Sequence, residues 1–173
     1  MRARGYGRII NISSIGGKLA APLGGWYHAS KFALEGFSDA LRNEVRSFGI
    51  DVVVIEPGGI ESEWANIAVE GARRYSAQGA YAGFVKSFSK MQGSYKQPGA
   101  SVISDLVVKA LKARHPKPRY HGGRLATQAS IVVWVERNRE LVPGKPSADA
   151  FVYFMDEPLT TAAVLLNFIA PSR

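Results

Sequence analysis

The stretch SSIGGKLAAPLGGWYHASK, residues 13–31, decides the fold. It opens with two serines directly after an apolar run, and it ends with a tyrosine and a lysine four positions apart, Tyr27 and Lys31. If the segment around Tyr27 is helical, these two side chains lie on one face of that helix. Glycines and a proline fill the middle of the stretch, so a loop must return the chain until Tyr27 approaches Ser14.

A tyrosine and a lysine at this spacing have a chemical use. A phenol titrates near pH ~10, which is too high for proton transfer at neutral pH. An ammonium group beside a phenol favours the phenolate and lowers the pKa of the phenol, so such a pair can act as acid and base near physiological pH. The Ser14 hydroxyl can then hydrogen-bond the oxygen on which charge changes. The alternative for Tyr27 and Lys31 alone is an ordinary solvated helix face.

Two apolar segments flank this region and predict a parallel sheet. Residues 8–13 and 50–56 are apolar enough for strands that are covered on both faces. Two such strands joined by a long helix are expected to form a right-handed crossover. Ligands of open α/β sheets bind beyond the carboxyl ends of the strands. Ser14 and the pair Pro57 and Gly58 follow such ends, so they are expected to face one crevice.

The connecting helix is predicted to cover residues 26–48. Five apolar side chains recur at steps of three and four and form a stripe: Leu34, Phe37, Leu41, Val45 and Phe48. At 100° per residue, Tyr27 and Lys31 fall on nearly the same face as this stripe, so their side chains are expected to point into the protein. Gly49 is expected to stop the helix.

These signals occur in an order and at a spacing that resemble the short-chain dehydrogenase/reductase family. The resemblance rests on the serine pair, on the Tyr-x-x-x-Lys motif and on the segment EPGGIES at residues 56–62, and it covers residues 1–121. It implies an α/β fold, namely the C-terminal half of a Rossmann-like doubly wound parallel sheet with helices on both faces. Residues 122–173 then form a tail of uncertain structure, for which a helix is one expectation.

The resemblance also implies a function, that of an NAD(P)-dependent oxidoreductase. Hydride would pass between the nicotinamide and a carbonyl or alcohol carbon of a small-molecule substrate. Ser14, Tyr27 and Lys31 match the catalytic residues: Tyr27 exchanges the proton, Lys31 assists it, and Ser14 orients the substrate.

The resemblance further assigns residues to the cofactor and to the substrate. Pro57, Gly58, Ile60 and Ser62 match the segment that wraps the nicotinamide end, and Ser62 stands where threonine is usual. Tyr27 and Lys31 also belong to the cofactor site, because Lys31 is expected to bond the nicotinamide ribose. Trp64, together with Ser14, is expected to contact the substrate.

The rest of the chain gives weaker signals. The aromatic residues between positions 63 and 97 fit either a surface helix or an aromatic lid over an apolar substrate. Residues 101–114 predict an amphipathic helix, and residues 119–121 predict a third strand. In the tail, residues 130–135 fit a strand or a helix, residues 143–146 a turn, and residues 160–169 a last helix. The three histidines, His28, His115 and His121, lack metal-ligand spacing, so they are expected to be structural or exposed and no metal is expected.

The largest departure from the family pattern lies before Ser14. The glycine-rich turn and helix N-terminus that hold the pyrophosphate do not occur before Ser14. We therefore expect these 173 residues alone to bind the cofactor weakly or not at all, and a micromolar dissociation constant would contradict this. Without a neighbouring strand, residues 8–13 would present an open edge, which predicts a homo-oligomer. The alternative function is a truncated, non-catalytic relative that acts as a dimerisation or binding module.

Composition limits the remaining classes. The chain has 173 residues, 46% of them apolar, and no cysteine, which fits one globular domain without disulfides. Lys and Arg exceed Asp and Glu by 22 − 14 = +8, which slightly favours NADP over NAD. Because the basic residues are mostly scattered, nucleic acid is not an expected partner. No apolar run approaches the ~20 residues of a membrane span, so no membrane partner and a cytoplasmic location are expected.

Overall fold

The computed structural model describes residues 1–93 and 96–127. Within these ranges, the side chains of all residues except 91–93 are described. Three strands form one sheet in the order β1-β2-β3, with β1 at Gly7–Ile12, β2 at Ile50–Pro57 and β3 at Arg119–Gly122. Four α-helices lie within the described residues: α1 at Gly25–Val45, α2 at Glu63–Ser76, α3 at Ala82–Gly93 and α4 at Ser101–Lys112. Short 3₁₀ turns lie at Arg2–Arg4, Ile15–Gly17, Arg46–Phe48 and Gly79–Tyr81.

All strand pairings within this sheet are parallel. The register of β1 against β2 runs from Gly7 opposite Ile50 to Ile12 opposite Ile55, and Tyr120 of β3 lies opposite Ile55. The predicted strands at 8–13, 50–56 and 119–121 are therefore confirmed, as is the α/β fold class. Because the strands are parallel, their carboxyl ends lie at one edge of the sheet, where ligands of such folds bind.

Strand β2 is the centre of the core. Val53 and Ile55 point to one face and are fully buried against Ala110 of α4 and Tyr120 of β3. The alternate residues Val52, Val54 and Glu56 point to the other face, which α1 covers. Burial on both faces explains why β2 is apolar along nearly its whole length.

Helix α1 packs on the sheet with a different face than its apolar stripe predicts. Phe37 is 58% exposed and Phe48 42% exposed, so the predicted stripe is wrong at these two positions. The buried residues of α1 are polar, namely Glu35 and Ser38. The Ser38 hydroxyl donates to Leu34 O and accepts from the Asn11 amide, so it is buried with its hydrogen bonds satisfied. Phe48 lies in the 3₁₀ turn after α1, where the α-helical phase no longer holds.

Gly49 ends this segment as predicted. Its backbone φ is +68°, a left-handed conformation that glycine adopts without a steric penalty. A Cβ at this position would lie 2.1 Å from Gly5 O, so space as well as conformation requires glycine. The turn delivers the chain directly into β2.

The described residues all fall within one compact unit of the chain, Met1–Val133. The predictions for residues 130–135, 143–146 and 160–169 lie outside the described residues, and the division of the chain after residue 121 stays a prediction. Among the helices in the described part, none combines the length and the hydropathy that a bilayer span requires.

Candidate active site at the carboxyl ends of the strands

Ser14 follows β1 directly and is fixed by its own hydroxyl. Its Oγ accepts a hydrogen bond from the Gly16 N–H at 3.0 Å, which caps the 3₁₀ turn Ile15–Gly17. The same hydroxyl lies 3.4 Å from Pro57 O, to which it donates. Ser14 therefore bridges the carboxyl ends of β1 and β2, and it is buried.

Tyr27 and Lys31 lie in the first two turns of α1, both half-buried. Lys31 Nζ donates to Ile12 O at 3.1 Å, so the lysine fastens α1 to the end of β1. The same Nζ lies 5.9 Å from the centroid of the Tyr27 ring. A Cβ on Gly16 would lie 2.8 Å from Tyr27 Cε1, so the ring packs against the turn that Ser14 caps. The fold thus gathers the three predicted catalytic side chains at one strand end.

Trp64 joins this group from the first turn of α2. Its ring centroid lies 4.9 Å from that of Tyr27, with the two rings tilted by 43°. The side chain is still 46% exposed, so it forms one open wall beside the phenol. Sequence alone gave no distance between these rings, because 37 positions separate them.

The segment after β2 is held by backbone hydrogen bonds to the end of the described chain. The Gly58 N–H donates to Gly122 O, and Gly59 exchanges two hydrogen bonds of 2.8 Å with Arg124. Ile60 packs beside Gly123, where a Cβ would lie 2.9 Å from Ile60 Cγ2. The segment is therefore part of the sheet edge rather than a free loop.

Ser62 occupies the N-cap position of α2, but its side chain makes no capping hydrogen bond. Its hydroxyl is exposed at the start of the helix, where backbone N–H groups are also without intrahelical partners. Of the predicted cofactor residues, Pro57 lies against Ser14, while Gly58 and Ile60 lie towards residues 122–124.

Gly58→Ala is expected to destabilise the protein by about 1–3 kcal/mol, because overpacking forces the backbone apart. The new Cβ would lie 2.2 Å from Arg124 O and 2.9 Å from Ala126 N. Gly36→Ala is the matched control, since a Cβ there meets nothing within 4 Å and α1 gains a better helix former. Thermal unfolding checks both variants, and an unchanged midpoint for Gly58→Ala would contradict the close packing.

A cluster of buried charges lies next to this site and was not predicted. Glu35 of α1 and Glu56 of β2 are both buried. Lys18 Nζ lies 2.9 Å from Glu35 Oε2 and 3.6 Å from Glu56 Oε1, and Arg119 Nε lies 3.1 Å from each of these oxygens. These four side chains, the charge cluster, join α1, β2, β3 and the loop before α1.

The two carboxylates of the charge cluster are not equally satisfied. Arg119 Nε carries one hydrogen, which it donates to Glu35 Oε2. Glu56 Oε1 is buried and accepts no hydrogen bond within the described residues, and the same holds for the other oxygen of Glu35, Oε1. Burial, followed by the charge of Glu35, raises the pKa of Glu56 above its ordinary value. Both carboxylates lie within ion-pair distance of Lys18 and Arg119, and burial shifts Glu56 in the direction of its neutral form.

Asp39 extends the cluster towards solvent. Arg119 Nη2 donates to both carboxylate oxygens at 2.8 Å, and Arg42 Nη1 donates to the same group. Burial acts to raise the pKa of Asp39, but the hydrogen bonds and charges of Arg119 and Arg42 outweigh it, so the pKa falls below its ordinary value. Burial likewise acts against the charged form of Arg119, yet Asp39 and Glu35 raise its pKa.

Fold and site together define a class. The protein has a parallel α/β sheet with helices on both faces, and polar side chains converge at the carboxyl ends of its strands, as in nucleotide-binding proteins of Rossmann type. Within the described ranges, no group of three potential ligands is arranged to hold a metal ion.

The particular family follows from comparison with known proteins. The family model described as short chain dehydrogenase matches residues 1–73. The chain is 41% identical over 130 residues to human retinol dehydrogenase 5 and 35% identical over 136 residues to the probable short-chain type dehydrogenase/reductase VdlC of Helicobacter pylori. The chain belongs to the short-chain dehydrogenase family, which confirms the resemblance.

The coverage of these matches is unequal. They include 68% and 78% of this chain but only 41% and 49% of the two relatives. The chain therefore spans less than half the length of these relatives.

Solved structures agree with the fold. A short-chain dehydrogenase from Streptomyces avermitilis is 28% identical, with a TM-score of 0.63, and the match covers 82% of this chain and 51% of that one. A serine dehydrogenase complexed with NADP⁺ is 22% identical, with a TM-score of 0.56, covering 72% of this chain and 47% of that one. A family member from Burkholderia phymatum in complex with NAD is 20% identical, with a TM-score of 0.58, and the match covers 86% of this chain and 54% of that one. The last two likenesses concern the fold alone.

Proposed function

We propose that this protein acts as an NAD(P)-dependent oxidoreductase on a small carbonyl or alcohol substrate, with Tyr27 as its acid and base. The observation that carries the proposal is the convergence of Ser14, Tyr27 and Lys31 at the carboxyl end of β1, with the Tyr27 ring against the turn that Ser14 caps. The bound nicotinamide would supply or accept the hydride at the substrate carbon.

The side chains of the protein would handle the proton. In the reducing direction, the Tyr27 hydroxyl would give its proton to the substrate oxygen, and the resulting phenolate would be stabilised by the Lys31 ammonium. The Ser14 hydroxyl, already fixed between two strand ends, would donate to the same oxygen. The exposed Trp64 ring beside Tyr27 would pack against the substrate.

The residues present fit the nicotinamide half of such a cofactor. Lys31 lies at the end of β1, and the Ser62 hydroxyl at the start of α2 has no capping role. Pro57, Gly58 and Ile60 would form the wall between them. A preference for NADP and a cytoplasmic location are part of the proposal. The first rests on the +8 charge, and the second on the lack of an apolar run long enough to span a membrane.

Titration with NADPH and NADH, followed by nicotinamide fluorescence, tests the cofactor site. We expect weak but saturable binding, and we expect Lys31→Ala to weaken it further because the variant lacks the ammonium at the end of β1. Lys109→Ala is the matched control, since Lys109 is exposed on α4. A folded chain that binds neither nucleotide would contradict the proposal for these residues.

A second candidate is a dimerisation or binding module without catalytic activity. It is favoured by one observation: within the described residues, β1 pairs with β2 only, so its other edge is open. The proposal of a homo-oligomer rests on the same edge. Sedimentation across a range of concentrations tests it, and a monomer at every concentration would count against it.

A further inference from the structure

His28 follows Tyr27 in the first turn of α1, and both nitrogens of its ring are hydrogen-bonded to backbone. Nδ1 lies 2.9 Å from Gly16 O, and Nε2 lies 3.0 Å from Ala21 N. Both partners belong to the connecting loop, residues 15–24, which leads from Ser14 into α1. The imidazole therefore fastens this loop to the helix at two points.

The two backbone partners fix the protonation state of the ring. A carbonyl oxygen can only accept a hydrogen bond, so Nδ1 must carry a hydrogen towards Gly16 O. An amide N–H can only donate, so Nε2 must offer its lone pair to Ala21. Only the neutral imidazole with its proton on Nδ1 makes both bonds. An imidazolium would direct a second N–H against the Ala21 N–H.

The loop is built closely around this ring. A Cβ on Gly16 would lie 3.1 Å from His28 Nδ1, and a Cβ on Gly24 would lie 2.9 Å from Nε2. Leu23, next to Gly24, has a φ of +67°, which a non-glycine residue keeps only when its surroundings enforce it. These contacts indicate a loop whose conformation depends on the imidazole.

Gly16 connects the hydrogen bonds of His28 to the candidate active site. Its N–H donates to Ser14 Oγ, and its carbonyl accepts from His28. The Tyr27 ring packs on the same glycine, where a Cβ would lie 2.8 Å from Tyr27 Cε1. A shift of the loop at Gly16 would therefore move Ser14 and Tyr27 relative to each other.

We propose that His28 is a positioning residue. The neutral imidazole holds the connecting loop so that Ser14 and Tyr27 keep their positions relative to each other, and protonation of the ring releases the loop at Ala21. The effect on catalysis rests on the proposed function, whereas the role of the two His28 hydrogen bonds in holding the loop does not.

The titratable groups around the ring are few. The Tyr27 phenol ring meets the imidazole edge-on at 5.5 Å, Lys31 lies one turn further along α1, and Lys18 on the connecting loop is paired with Glu35 and Glu56. Within residues 1–93 and 96–127, no carboxylate lies within ion-pair distance of His28.

Amide hydrogen exchange of the ¹⁵N-labelled full chain, measured by NMR from about pH 8 to about pH 5, tests this proposal. We expect the protection factor of the Ala21 amide to fall about tenfold as the ring becomes protonated, which is the loss of about one hydrogen bond. The Ser13 amide donates to Ile55 O and is the internal control, because its protection should not change. The imidazole ¹⁵N shifts report independently which nitrogen carries the proton.

Three variants separate the two hydrogen bonds. His28→Phe keeps an aromatic ring, although a larger one, and removes both bonds, so Ala21 should be unprotected at every pH. His28→Asn can replace the donor at Nδ1, and His28→Gln can place its amide oxygen near Nε2. Because neither amide titrates, His28→Gln should protect Ala21 without pH dependence. Equal Ala21 protection in the native protein and in His28→Phe, or a proton on Nε2 alone, would overturn the proposal.

Turnover is a separate readout. If Tyr27 acts as proposed, His28→Phe should lower kcat with little change in the KM of the cofactor, and His28→Gln should restore part of it. If the chain shows no turnover while Ala21 exchange still follows the state of His28, the proposed function fails and the positioning role stands.

Discussion

Replacing Tyr27 with phenylalanine is expected to lower kcat by about 10²- to 10⁴-fold, the range that a positioned acid or base contributes. The substitution removes one hydroxyl and keeps the ring, so the contacts with Trp64 and with the turn at Gly16 remain. The proton that the substrate oxygen needs would then have to come from water. Steady-state reduction of a panel of carbonyl compounds, followed by nicotinamide absorbance, measures the effect.

The matched control is Tyr75→Phe. Tyr75 lies on α2 and is 79% exposed, so the same deletion there should leave kcat unchanged. Thermal unfolding of Tyr27→Phe should remain close to that of the native chain, which separates lost chemistry from lost structure. Undiminished turnover by Tyr27→Phe would exclude Tyr27 as the acid and base.

The two buried glutamates are expected to respond in opposite ways to the same substitution. Glu35→Gln should destabilise the protein by about 3 kcal/mol, because breaking a buried ion pair leaves charge uncompensated. In a chain of this length that corresponds to a fall in Tm of roughly 6–12 °C. Glu35 Oε2 lies near both Lys18 and Arg119, so the loop before α1 loses its ion pair to α1, while strand β3 keeps the ion pair between Arg119 and Asp39. Differential scanning calorimetry at pH 7 measures this fall in Tm.

Glu56→Gln should leave Tm unchanged or raise it at pH 7. The pKa of Glu56 is raised in the folded state by burial and by Glu35, so the folded protein binds this proton more tightly than the unfolded chain. Its favourable contribution is complete below the ordinary value of 4.5 and is lost as pH rises through the folded-state pKa. Glutamine is neutral at every pH, so its advantage over Glu56 should grow from acid to neutral pH.

Asp39 provides the opposite pH dependence in the same cluster. Its pKa is lowered in the folded state, so its contribution is present above its ordinary value of 3.8 and is lost as pH falls. Titrating the stability of Glu56→Gln and of an Asp39→Asn variant from pH 3 to 8 therefore separates the two signs. A lower Tm for Glu56→Gln at pH 7 would show that its ion pairs outweigh the burial of its charge.

Local pattern determined the elements of this protein. The apolar density of residues 8–13 and 50–56 predicts two strands, and the helical spacing between them predicts a crossover helix. Burial on both faces, also predicted, holds for β2, whereas the residues of β1 are half-buried or exposed. Once the strands are parallel, Ser14 and Pro57 must lie at neighbouring strand ends, and the hydrogen bond from Ser14 Oγ to Pro57 O agrees with this. These features depend on residues close in sequence, which is why they could be predicted.

Tertiary structure alone decided which side chains are buried on α1 and what surrounds the candidate site. Glu35 is buried because Lys18 and Arg119 reach it, and Arg119 lies 84 positions away along the chain. The same holds for Trp64 against Tyr27 and for the ring of His28 against Ala21, since each contact requires a loop or a crossover to close. A hydrophobic pattern identifies apolar faces, but a polar group is buried only where distant partners satisfy it. That condition placed Glu35 and Ser38 inside and left Phe37 in solvent.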